Sequence, residues 1–88
     1  MPAYRVEIAR SAERDLSRLS TELFERVAVK LGALAENPRP PGCEKLAGLE
    51  GYRIRVGDYR VLYEVDDTKR TVFVARIRHR REVYRKLR

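Results

Sequence analysis

The side chains of this chain that could do chemistry are mainly arginines, and they crowd into its second half. Between Arg53 and Arg88 stand 12 Lys/Arg against 5 Asp/Glu, whereas residues 1–52 hold 8 of each and balance. Alternation decides which arginines can act together. Tyr52, Ile54 and Val56 alternate with Arg53 and Arg55; beyond Gly57-Asp58 the apolar alternation continues through Tyr59, Val61, Tyr63 and Val65, with Arg60 inside it. A period of two marks strands, and glycine in first place fits a two-residue II′ hairpin turn. That turn sets Val56 against Tyr59, Arg55 against Arg60, Ile54 against Val61 and Arg53 against Leu62. Cross-strand partners point to the same side of a sheet, so Arg53, Arg55 and Arg60 share one face and the apolar set takes the other. A third strand, Thr71 to Arg78, is expected to turn Phe73, Ala75 and Ile77 to the core, which sends Arg76 and Arg78 to the arginine side.

Like charges placed directly opposite on a sheet destabilise it by about 0.2–1 kcal/mol, and no acid stands between Arg53 and Arg55. The bases here are all arginine, whose planar fork grips phosphate through two hydrogen bonds. A phosphate ligand, from an RNA or DNA backbone, accounts for such a face better than solubility does. His79 follows the third strand; its ordinary titration near neutrality makes it an acid/base candidate, against the plainer role of a strand-end histidine bonded to backbone. Tyr52, Tyr59 and Tyr63 fall on the core side and read as packing. A single histidine and scattered acids argue against a metal site, and no cofactor is implied. Cys43, the lone cysteine, has no internal disulfide partner and reads as a loop or core thiol.

The elements that must hold this face fit one domain spanning 1–88. A formal charge of +7 and a pI near 10.1 favour nucleic acid, an acidic protein or an anionic surface as partner. No apolar run approaches the roughly 18 residues of a membrane span, and none follows the N-terminus as in a signal peptide. A cytoplasmic protein without membrane contact is the expectation. Tyr4, Val6 and Ile8 alternate as a half-buried strand. Ser11 is expected to cap a first helix, with Glu13 in its first turn, and Ser20 a second, with Leu19 stapled onto Phe24. Phe24, Val27, Ala28, Leu31, Leu34 and Ala35 form the second helix's apolar stripe, which must end near Asn37 because Pro38 follows. PRPPGCEKLAGLEG is a connector tied down by Leu46 and Leu49, and His79 to Tyr84 closes the chain as a turn or short helix.

In ARSAERDLSRL, in KLAGLEGYRIRVGDYRVLYEVDD and in the terminal RIRHRREVYR, the chain resembles the RelE/ParE superfamily of toxins from toxin–antitoxin modules. The ending His-Arg-Arg-x-Val-Tyr-Arg resembles the RelE branch more than the ParE branch. The resemblance implies an α+β, RelE-like fold: an N-terminal strand, an antiparallel helical hairpin packed on a mainly antiparallel four-stranded sheet, and a short C-terminal helix. It implies a ribosome-dependent endoribonuclease that cuts mRNA in the A site without a metal, the ribose 2′-OH attacking the adjacent phosphate. By position, Arg60 matches the arginine on the scissile phosphate, Arg78 the one near the leaving 5′-oxygen, and Tyr84 a C-terminal tyrosine on the nucleophile side. Arg53 and Arg55 match a pair that is lysine in well-studied members. Arginine does not deprotonate at neutral pH, so the base would be Tyr84, His79 or water, while Arg53 and Arg55 hold phosphate. The expected RNA-binding set also takes in Arg76, Arg80, Arg81 and Lys45. Expected partners are an acidic RelB-like antitoxin, in a heterotetramer, and the 70S ribosome with its mRNA and rRNA. The alternatives are a ParE-like inhibitor of DNA gyrase and a catalytically weak RNA-binding homologue.

Overall fold

A computed structural model describes residues 3–46 and 51–81. In chain order it has β1 (Arg5–Ile8), α1 (Arg10–Ser17), α2 (Thr21–Glu36), β2 (Glu44–Lys45), β3 (Gly51–Val56), β4 (Tyr59–Asp66) and β5 (Thr71–His79). The sheet runs β1-β5-β4-β3-β2, with β1 parallel to β5 and every other pair antiparallel. It has five strands where four were expected, because the short β2 forms inside the proline-rich connector and pairs Glu44 with Arg53 and Lys45 with Tyr52.

The β3–β4 hairpin has the register that its alternation required, from Gly51↔Glu64 to Val56↔Tyr59. Gly57 sits at φ +60°, and Asp58 is not among the left-handed residues. That combination suits a II′ turn, since I′ needs positive φ at both places. Ile54, Val56, Val61 and Tyr63 are buried on one face. Tyr63 is anchored at both ends: its ring stacks on Tyr52, and its hydroxyl donates to the Pro38 carbonyl at 2.7 Å.

Strand β5 departs from the expected parity. Val72 and Val74 are fully buried while Phe73 is 40% exposed, yet Ile77 is also buried. Strict alternation cannot put positions 72, 74 and 77 on one face. The register resolves it: Tyr63 pairs with Val74 but Leu62 pairs with Arg76, so Ala75 has no partner and β5 bulges by one residue. Below the bulge the even positions face the core; above it the odd ones do. Phe73 therefore belongs to the outer face rather than the core.

Helix α2 lays Val27, Leu31 and Leu34 into the core. Its N-cap is Ser20, whose Oγ accepts from the Leu23 N–H at 3.2 Å, as the sequence required. Phe24 is an exposed member of the expected stripe. Helix α1 begins one residue before the proposed cap, with Ala9 at the N-cap position and no side-chain cap bond. Ser11 lies inside the helix, and its Oγ donates instead to the Ala75 carbonyl at 2.9 Å. At the far end of the sheet, Arg39 grips Asp67 through two nitrogens at 2.9 and 3.2 Å. Its Nε donates to the Tyr52 hydroxyl, and Tyr4 donates to the same Asp67. Those donations, the Arg39 pair foremost, hold the Asp67 carboxyl below its usual range. The backbone turns helical at Arg80–Arg81; Leu49 and the rest of the expected terminal helix, with Tyr84, lie outside the described residues.

Candidate nucleic-acid interface

The sheet's outer face carries two rows of side chains across its three longest strands. One row is Arg55, Arg60 and Arg78; the next is Arg53, Leu62 and Arg76. Neighbouring strands lie about 4.8 Å apart, so the first row sets the Cα atoms of three arginines abreast on adjacent strands. Arg60, in the centre, is only 5% exposed. Its Nη1 donates to its neighbour's carbonyl, that of Tyr59, at 3.2 Å, and among the described residues no carboxylate pairs with it. Removing a cation from water without an opposite charge is costly, and arginines directly across both flanking strands add to that cost.

The flanking row is different. Arg53 donates from Nε to Glu44 Oε1 at 3.0 Å. The acid missing between Arg53 and Arg55 in sequence is thus brought in by β2, and the face is not wholly one-signed. Arg76 is gripped by Asp15 of α1, from Nε at 2.9 Å and from Nη2 at 3.2 Å. Asp15 is 8% exposed and also accepts from the Ile77 backbone N–H at 2.9 Å. Burial by itself would raise its carboxyl pKa, but the donors from Arg76 and Ile77 outweigh burial and hold it below the ordinary carboxylate range. Asp15 was not among the residues singled out from sequence. Its only mark there was one of two acids among two arginines in a short helix, with no sign of a partner 61 residues away.

The remaining sequence candidates scatter. His79 is in register with Tyr59, one place beyond Arg78, and so points to the opposite side of β5 from the arginine row. Its ring meets Tyr59 edge-on at 5.3 Å, and its Nδ1 accepts from the Arg81 N–H at 3.3 Å. A neutral ring that accepts at Nδ1 carries its proton on Nε2. Arg80 and Arg81 are exposed just after β5, with the Arg80 N–H donating to the Asp58 carbonyl. Lys45 is in register with Tyr52, not Arg53. It helps line a groove near the β4–β5 turn with Arg39, Glu64 and Asp67. Among the described residues no group of His, Cys, Asp and Glu could hold a metal ion, and no helix is long and apolar enough to cross a membrane.

Chemically, the row Arg55–Arg60–Arg78 has the charge and the donors to act as an anion cradle. It can bind a phosphodiester through fork-like donors. It is also suited to a phosphate that gains negative charge on the way to a pentacovalent transition state.

A helix pair on a mixed sheet of this order is a shape shared with known proteins. The family described as the ParE toxin of the type II toxin–antitoxin system, parDE, matches residues 6–84. Toxin RelG of Mycobacterium tuberculosis is 34% identical over 85 residues, which covers 94% of this chain and 98% of RelG. Toxin RelE of the same organism is 38% identical over 84 residues, covering 93% and 87%. The archaeal RelE–RelB complex from Pyrococcus horikoshii superposes with a TM-score of 0.81 at 28% identity, over 89% of this chain and 96% of that one. The toxin–antitoxin complex RelBE2 of M. tuberculosis does so at 0.79 and 30%, over 90% and 99%. The chain belongs to the RelE/ParE superfamily and is a toxin of the type II toxin–antitoxin class.

Proposed function

We propose that this toxin is a ribosome-dependent endoribonuclease that inhibits translation by cutting mRNA in the A site. The observation that carries the reading is Arg60: a nearly buried arginine between two others, paired with no carboxylate among the described residues, is a site suited to an anion. The 2′-OH of the A-site nucleotide attacks the adjacent phosphorus and the P–O5′ bond breaks, leaving a 2′,3′-cyclic phosphate and a 5′-OH. Arg60 neutralises the non-bridging oxygens, whose charge grows in the transition state. Arg78 lies near the leaving 5′-oxygen and stabilises or protonates it. Arg55 and Arg53 hold flanking phosphate, because a guanidinium does not act as a base at neutral pH. His79 points away from the row and has its Nδ1 occupied, which favours Tyr84 or water as the base. Arg76, Arg80, Arg81 and Lys45 serve as peripheral contacts to mRNA and rRNA. The reaction draws on no metal or cofactor.

The partner in the resting cell is an acidic, RelB-like antitoxin encoded with it, joined in a heterotetramer. Support comes from structural relatives solved as RelE–RelB complexes and from the unbalanced charge of the second half. The single domain acts in the cytoplasm. The name of the matching family favours a second reading, a ParE-like inhibitor of DNA gyrase. Primer extension on mRNA from a translating extract separates the two. Cuts within A-site codons, absent with Arg60→Ala/Arg78→Ala, support the nuclease. Intact mRNA beside gyrase-trapped DNA breaks would replace it with the second reading.

A further inference from the structure

The arginine row exists only because β5 is bulged. Without the bulge, Val74, Arg76 and Arg78 would share one parity, and a register slip of one residue flips every side chain beyond it. With Val74 fully buried, an unbulged β5 would turn Arg78 toward the core side and Ile77 out beside Arg60. The unpartnered residue Ala75 reverses this, and Arg78 comes to lie directly across from Arg60.

A bulge needs its backbone groups satisfied on the side away from β4. Strand β1 cannot do so, because its pairing with β5 ends at Ile8↔Val74. The N-cap residue Ala9 and helix α1 take over there. The Ala9 N–H donates to the Val74 carbonyl at 2.9 Å, and Ser11 Oγ donates to the Ala75 carbonyl at 2.9 Å. The Asp15 carboxylate accepts from the Ile77 N–H and, at the same time, from both Arg76 nitrogens. The three contacts occur in chain order along β5, and Ser11 and Asp15 lie one turn apart on α1, so one face of α1 serves as a template for the bulge. Asp15 closes it, and it alone among them also holds a side chain of the outer face.

We infer that Asp15 is a positioning residue for the arginine site: by holding the Ile77 amide and the Arg76 guanidinium it locks the bulge at Ala75, which points Arg78 at the phosphate held by Arg60. The inference rests on the nuclease reading for the identity of that phosphate, but not for the geometry. Asp15→Asn keeps an acceptor for the Ile77 N–H and loses the charge that grips Arg76. Asp15→Ala loses both.

The test is single-turnover cleavage of mRNA on programmed ribosomes, with rates normalised to folded protein. It compares wild type, Asp15→Asn and Asp15→Ala, each with and without Arg78→Ala. Misplacing a catalytic group by about 1 Å can cost up to about 10²-fold in rate. Asp15→Ala should therefore lower the maximal single-turnover rate by about tenfold or more with the half-saturating toxin concentration little changed. Asp15→Asn should recover most of that loss, and neither variant should lower the rate further once Arg78 is alanine. An equal fold-loss in both backgrounds, or no loss in either, would overturn the inference. If the wild type cuts nothing, the nuclease reading fails by itself. The geometry is then judged by titrating the same proteins with inorganic phosphate and following the arginine Nε–H resonances. Weaker binding in Asp15→Ala, matching that of Arg78→Ala, upholds the positioning role, and wild-type affinity in Asp15→Ala refutes it.

Discussion

Replacing Arg60 with methionine should make this protein more stable and leave it inactive. The side chain is 5% exposed, stands between Arg55 and Arg78, and is given one backbone carbonyl as acceptor. Each opposed pair of like charges costs about 0.2–1 kcal/mol, so two cost about 0.4–2 kcal/mol, and burial of the cation adds to that. Against this stands one hydrogen bond from a charged donor, a net contribution of about 1.5–3 kcal/mol at most; the Tyr59 carbonyl that loses it lies at a strand end, where water can replace the donor. Methionine keeps the unbranched bulk and fills irregular space readily. Repulsion and hydrogen bond nearly cancel, so the burial cost of the cation sets the sign; replacing buried charge with apolar bulk is often stabilising, here by about 1 kcal/mol. In a domain of this size that raises Tm by about 4–8 °C. Cleavage should fall by about 10²–10³, the usual cost of losing one preorganised donor to a developing anion. Phosphate supplies an internal control. It should raise the Tm of the wild type, since a ligand that binds only the folded state stabilises it, and should do little for Arg60→Met. Thermal melts of both proteins in low-salt buffer, with and without phosphate, decide the matter. A Tm for Arg60→Met several degrees below wild type in the absence of phosphate would refute the reasoning, since Arg60 would then be a structural residue.

Tyr63→Phe removes the donor to the buried Pro38 carbonyl and should cost about 1–3 kcal/mol, read as a lower urea midpoint at unchanged m-value. Gly57→Ala forces a side chain onto φ +60°, with the Arg26 guanidinium 3.4 Å from the new carbon; it should destabilise by about 1 kcal/mol or more, read as a lower urea midpoint. Asp15 and Asp67 both have carboxyls held below the unfolded value of 3.8. Their contributions to stability are therefore complete above that value and drain away as the pH falls through the folded pKa. Tm should decline in acid more steeply for the wild type than for Asp15→Asn or Asp67→Asn. Equal acid slopes in all three would show that neither carboxylate is linked to folding.

How much of this could be read from the chain depends on whether the deciding contacts are local. The hairpin was legible because a Gly-Asp turn and an unbroken alternation leave one register, and every pair from Val56↔Tyr59 to Arg53↔Leu62 follows from it. Helix α2 was legible for the same reason: its cap at Ser20 and its stop before Pro38 are both within a turn of the helix. Strand β2 was hidden because two residues make no period, yet it supplies Glu44 to Arg53. Ser11 misled because a short hydroxyl at a helix start can cap it or bond elsewhere, and the carbonyl it serves is 64 residues away. The parity of β5 is the instructive case. Val72, Phe73, Val74 and Ala75 are apolar on both sides, so nothing in that run tells a straight strand from a bulged one. Choosing the core face by Ile77 put Arg76 and Arg78 on the correct side while misplacing Phe73. The two ends of the strand obey opposite parities, and the residues that reconcile them, Ser11 and Asp15, are in the first helix. An arginine site that looks, in sequence, like a property of three strands is therefore set by the element least connected to it along the chain. Substitutions in α1 should reach the site more strongly than exposed substitutions on β4 beside it.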